Sequence, residues 1–182
     1  MESTVYSSGS KSHPGFTGID QWIFNLGSPN GVTRQEARLA LVKIGKDAVP
    51  ALCRALHSQN VHTRWEAAKA FVALPAYSAA PDLVDALRDE DAGVRWLAGE
   101  ALIGLKRAAV VPLLEGLQEH FDSTWMREGA HHVLYGLHME KLLDQPLSKV
   151  KSALEDIEPE AKAPWAAYEY LDTFEKFRGK IQ

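Results

Sequence analysis

The sequence predicts an all-α protein: a right-handed α-solenoid of about four to five helical hairpins, opened by an N-terminal half-repeat and closed by a C-terminal capping helix. Three observations carry this. First, VHTRWEAAKAFVAL (61–74) and AGVRWLAGEALIGL (92–105) are copies of one pattern, and the pattern recurs from Arg34 and, more loosely, from Arg127; the arginines are 30, 31 and 32 residues apart. Second, apolar or small residues fall 3, 6, 7 and 10 positions after each arginine, which is one face of an α-helix. Third, a proline follows the arginine by 16 or 17 residues in three copies (Pro50, Pro81, Pro112) and opens a second apolar segment. The first turn of a helix tolerates proline because the N–H it lacks would have no partner there.

In chain order, residues 1–16 are rich in Ser, Gly and Pro and read as a disordered arm; residues 17–178 read as a single repeat domain. Ile19, Trp22, Ile23 and Leu26 form a short helical face, broken by GSPNG, and make the half-repeat. The stripes of the four first helices are Ala37, Ala40, Leu41, Ile44; Ala67, Ala70, Phe71, Leu74; Ala98, Ala101, Leu102, Leu105; and Ala130, Val133, Leu134, Leu137. The alanines let the next helix approach closely. Second helices carry Leu52 and Leu56, Leu83 and Leu87, and Leu113 and Leu117. In the fourth copy Pro146 lies 19 residues after the arginine, and PLSKVKSALEDIEP supplies the second helix. Trp165, Tyr168, Leu171, Phe174 and Phe177 mark a closing helix expected to cover the last open face, with residues beyond Phe177 fraying. One hairpin cannot bury its own stripe, so stability must come from stacking.

Composition bounds function. With 182 residues, 46% hydrophobic and 24% charged, the chain can bury a sizeable core. A net charge of −4, a pI near 6.0 and no basic patch argue against nucleic acid as a partner. A single cysteine, Cys53, rules out an internal disulfide framework and suits a reducing cytoplasm; it is expected to be a buried, inert thiol. No stretch has signal-peptide or membrane-spanning character.

The motifs V-R-x-x-A-x-x-A-L and A-V-P-x-L, present here as GVRWLAGEALIGL (93–105) and IGKDAVPALCRAL (44–56), resemble the short HEAT-like repeats of the phycocyanobilin lyase-like class over about residues 18–157. The resemblance implies a scaffold fold. It also implies a structural ladder for Arg34, Arg64, Arg95 and Arg127, each pairing with an acid or carbonyl of a neighbouring turn. Asp91 and Asp122 stand four and five residues ahead of the third and fourth arginines; Asn30 and Asn60 stand ahead of the first two.

Two surfaces are candidates for a partner. Trp65 and Trp96 occupy the same place in adjacent repeats and form either an exposed aromatic ladder suited to anchoring a partner or packing over the seam. Asp82, Asp85, Arg88, Glu115 and Glu119 lie on second helices, where an acidic strip on the concave side would suit a basic segment; solvated surface charge is the alternative. His131, Tyr135 and His138 share a helical face beside His132, but two imidazoles are too few for a metal site, so the face is expected to pack against the C-terminal helix. No catalytic, cofactor or metal residue is expected.

The reading is a non-enzymatic scaffold that binds a protein or peptide. The alternative, implied by the resemblance alone, is a bilin lyase or chromophore chaperone acting on phycobiliproteins. HEAT-like iron hydroxylases need His-Glu pairs, and the chain has no His-Glu dipeptide. Stacks of the alkylpurine DNA glycosylase kind need a basic concave surface, where acids are expected here.

Overall fold

The computed structural model describes residues 18–178. The expected arm at 1–16 and residues 179–182 of the tail expected to fray, together with the side chains of Phe177 and Arg178, lie outside the described residues. Within them the chain is an all-α solenoid with no strand: α1 (Gly18–Asn25), α2 (Gly31–Ile44), α3 (Val49–Leu56), α4 (Val61–Ala73), α5 (Ala80–Ala86), α6 (Ala92–Gly104), α7 (Val110–Glu119), α8 (Thr124–Met139), α9 (Gln145–Leu154) and α10 (Pro159–Arg178).

Each first helix begins the same way. Four residues before the repeated arginine stands an N-cap: Asn30, Asn60, Asp91 and Ser123, whose side chains accept from the N–H of Val32, His62, Val94 and Met126. Such a cap satisfies a donor the helix cannot satisfy internally and is worth about 1 kcal/mol. First and second helices are joined in three repeats by a single 3₁₀ turn, at Gly45–Ala48, Tyr77–Ala79 and Lys106–Ala109. Eleven residues after the arginine the chain leaves the helix by one of two routes. Gly45 and Lys106 adopt left-handed φ of 77° and 57°, whereas Pro75 forces the residue before it, Leu74, out of helical geometry. Pro50, Pro81 and Pro146 sit at the second position of α3, α5 and α9, and Pro112 at the third of α7.

The helices form two rows. First helices pack α2 on α4, α4 on α6 and α6 on α8, while α1, α3, α5 and α7 form the second row. Between the rows runs one continuous apolar cluster from Leu26 to Ala167, including Leu41, Leu52, Phe71, Leu83, Leu102, Leu114 and Leu134. Removing each such leucine from water contributes about 1.5–3 kcal/mol. Of the expected stripes, Ala37, Leu41, Ala67, Ala70, Phe71, Ala98, Ala101, Leu102 and all four residues of the fourth copy are buried. Ala40, Leu74 and Leu105 are half-buried, and Ile44 is 38% exposed.

At the C-terminal end the structure departs from a simple lid. α10 starts at Pro159, earlier than the aromatic run suggests, and continues through Pro164. It packs against α7 and α9, standing beside α7 where the preceding pattern would seat α9. Its seat is made by Ala163 and Ala167, both fully buried, with Leu171 half-buried, while Trp165, Tyr168 and Phe174 face outward. Small side chains allow the close approach that the expected aromatic face would have prevented.

Candidate functional site

The repeated arginines share one geometry. Each Nη1 donates to the main-chain carbonyls six and, in three of the four, also five residues back, at the end of the preceding second helix: Arg34 to Ser28 and Pro29, Arg64 to Ser58 and Gln59, Arg95 to Asp89 and Glu90, Arg127 to Phe121. A cation there meets carbonyls with no helical partner and the negative end of the helix dipole. The acids and amides expected as ladder partners do something else. Asn30, Asn60 and Asp91 are N-caps, and in the fourth copy Ser123, rather than Asp122, has that role.

What the rest of each guanidinium does differs between repeats. Arg64 is 7% exposed. Its Nε and Nη2 hold Asp89 through a two-point fork of 2.6 and 3.0 Å, and Nη2 also reaches Glu90 at 3.0 Å. With the two carbonyls, all five N–H donors are used. The Asp89 bond raises the already high pKa of Arg64, so it stays charged. Arg34 turns its Nε to Glu66 at 3.5 Å, and Arg38 bonds the other oxygen of that acid, which is only 3% exposed.

Arg95 has no such second partner. Phe121 stands where Asp89 does, since both offer their carbonyl to the next arginine. Asp122, the counterpart of Glu90, forms no ion pair with Arg95 among the described residues. The guanidinium carbon instead lies 4.5 Å from the centre of the Trp125 ring, and no acceptor among the described residues meets Nε or Nη2. Neither atom is buried.

The two tryptophans diverge for a related reason. Trp65 is half-buried: its indole lies over Gly93, where a Cβ would come within 3.0 Å of Nε1, and Lys69 sits 4.4 Å from the ring centre. In the next repeat the place of Gly93, two residues before the arginine, is taken by Trp125. Trp96 therefore has no flat seat. It stands 59% exposed, its ring 4.4 Å from His132, which lies over Gly99. Trp125 is itself 43% exposed. Between α6 and α8 the two indoles, Arg95, Glu128, Gly129 and His132 line a groove of about 200 Å³ floored by Leu87. No aromatic ladder joins Trp65 to Trp96.

The other sequence candidates are placed as follows. Asp82 accepts from His57 at 2.8 Å and also faces Cys53. Asp85 approaches Arg88 at 3.5 Å. Glu119 is 3.9 Å from His120, and Glu115 is exposed. Within the strip Asp82 is engaged inside the chain, while Asp85, Glu115 and Glu119 remain exposed. Cys53 is half-buried; burial and the Asp82 carboxylate push its thiol up to about 12. His57 and Cys53 both turn toward Asp82, so the acid holds the thiol protonated instead of activating it. His131 pairs with Glu155 of the segment after α9 at 3.0 Å, and His132 with Glu100 of α6 at 3.0 Å, so the polar partners of both lie off the aromatic face of α10. Tyr135 and His138 are exposed. Lys151 and then His131 hold the Glu155 carboxyl below its usual range. No cluster of His, Cys, Asp and Glu among the described residues could hold a metal, and none of their helices is long and apolar enough to cross a membrane.

Sequence reasoning missed Trp125, Glu66 and the carboxylate role of Asp89. Trp125 had a visible signal: at two residues before the repeated arginine the other copies carry Val32, His62 and Gly93.

Residues 19–103 match the family model for HEAT repeats. No curated protein matches the chain. The matched stretch ends within α6, so α8, the other wall of the groove, lies beyond it.

Proposed function

We propose that this HEAT-like repeat chain is a non-enzymatic scaffold that docks a protein or peptide partner in the groove between α6 and α8. HEAT repeats commonly mediate protein interactions, which gives the class of activity. The observation that supports this groove is the pair of exposed indoles, Trp96 and Trp125, flanking a shallow apolar floor with an incompletely bonded arginine between them. Tryptophan and arginine are the side chains that most often dominate binding energy at interfaces. A tetrapyrrole reading gains nothing from this geometry, because about 200 Å³ holds a few side chains rather than a bilin. A cytoplasmic setting, in keeping with the single thiol, belongs to the same reading.

Affinity capture from the native cell extract tests the proposal. The bait is compared with W96A/W125A and with a third bait carrying charge reversals at Asp82, Asp85, Glu115 and Glu119. Partners lost by the double tryptophan variant and kept by the charge-reversed bait support the groove. Equal recovery by all three overturns it.

A further inference from the structure

Resting on the groove as the docking surface, we infer that its occupant presents a carboxylate, from an Asp or Glu side chain of a linear peptide, to the free Nε and Nη2 edge of Arg95. An apolar neighbour of that acid lies against Trp96 and Trp125. The template for this contact is inside the molecule. One repeat earlier, Arg64 uses the same two nitrogens to grip the carboxylate of Asp89 at 2.6 and 3.0 Å while its Nη1 holds the main chain. Arg95 has the same main-chain anchor, at 2.7 Å to the Asp89 carbonyl, which leaves its Nε and Nη2 for an outside acceptor. Phe121 in place of Asp89 leaves that fork without its internal acid.

Two features pre-organise the receptor. The main-chain bonds fix the guanidinium, and Trp125 shields one side of it at 4.5 Å, so little ordering is left for the binding step. A planar guanidinium prefers a carboxylate because two parallel N–H donors match its two oxygens. His132 is already paired with Glu100 and does not compete for the acid. Glu128, on the groove wall, and Asp122 nearby have no ion-pair partner among the described residues. Their charge opposes an incoming acid and limits the affinity, which makes Glu128 a second handle on the proposal.

The test is selection of a displayed random heptapeptide library on the full chain, counter-selected on W96A/W125A, followed by fluorescence anisotropy of a selected peptide. The expected result is enrichment of an Asp or Glu beside an aromatic or aliphatic residue. Exchange of that acid for its amide, or Arg95→Gln in the protein, should weaken binding about tenfold or more. Arg95→Lys keeps the charge without the fork and should weaken it nearly as much, and Glu128→Gln should tighten it a few-fold. Glu128 is exposed and has no hydrogen bond or ion pair among the described residues, so its variant reports even where an Arg95 variant is unstable. Selected peptides that lack an acid, or that bind Arg95→Gln and Glu128→Gln like the parent, overturn the carboxylate while leaving the groove as docking surface. Failure to enrich any peptide over the W96A/W125A control overturns both.

Discussion

The seam between α4 and α6 and the seam between α6 and α8 are built from the same words, Arg-Trp on one helix facing the first turn of the next, and they reach opposite states. In the first, Arg64 has every donor bonded and Trp65 lies half-buried over Gly93. In the second, Arg95 keeps the three N–H donors of Nε and Nη2 open and Trp96 stands exposed. Two positions on the facing segment account for it: Asp89 against Phe121, and Gly93 against Trp125. The same Arg-Trp pair is thus closed at one joint and open at the next without any change in the pair itself, because its environment is supplied by the next repeat.

The largest way to break this comparison is to delete the arginines. Arg64→Ala should cost about 3–5 kcal/mol in urea unfolding, since it strands the nearly buried Asp89 carboxylate along with two carbonyls. Arg95→Ala should cost only about 1 kcal/mol, the value of a typical hydrogen bond, because its open edge satisfies nothing. Equal losses would mean that the two sites do not differ as described. Next come the tryptophans: Trp65→Ala should lose about 2 kcal/mol of burial, whereas Trp96→Ala should stay within about 0.5 kcal/mol of the parent.

A smaller effect sharpens the role of the facing residue. Gly93→Ala places a Cβ 3.0 Å from the Trp65 indole nitrogen, so the ring must lift. About 1 kcal/mol of destabilisation and a red shift of emission from Trp65, read in a variant where it is the one tryptophan kept, are expected. Unchanged emission would show that the glycine is not the seat. The smallest effect lies away from both seams. With its thiol pushed up to about 12, Cys53 should resist iodoacetamide at pH 8.5 in the folded chain and react readily in urea. Removing the nearby negative charge with Asp82→Asn lowers the pKa, so labelling should quicken. A rate equal to that of the unfolded chain would contradict the burial and the acid as its cause.

Much of this fold is legible in the sequence because it is local. The 3, 6, 7, 10 spacing after each arginine names the buried stripe, and prolines such as Pro50 and Pro81 announce the second helices. Asn30, Asn60, Asp91 and Ser123 are equally local, but their meaning depends on recognising a fixed offset of four residues before the arginine as a capping position. The groove is much less legible. Arg64 and its acid are 25 residues apart, and Trp65 and its glycine seat 28, so nothing adjacent to either Arg-Trp pair distinguishes one from the other. Read locally, the two tryptophans are equivalent. Only stacking separates them.

The seat of α10 has a consequence for how the molecule assembles. Everywhere else helices touch their near neighbours along the chain, but α10 reaches back past α8 and α9 to α7. That contact spans about fifty residues of chain, more than the contacts between successive repeats, and it should form after them. During synthesis the flank of α7 therefore stays uncovered until α10 has left the ribosome. The last two hairpins should then lock as one cooperative block, unlike the earlier ones, which can add one at a time.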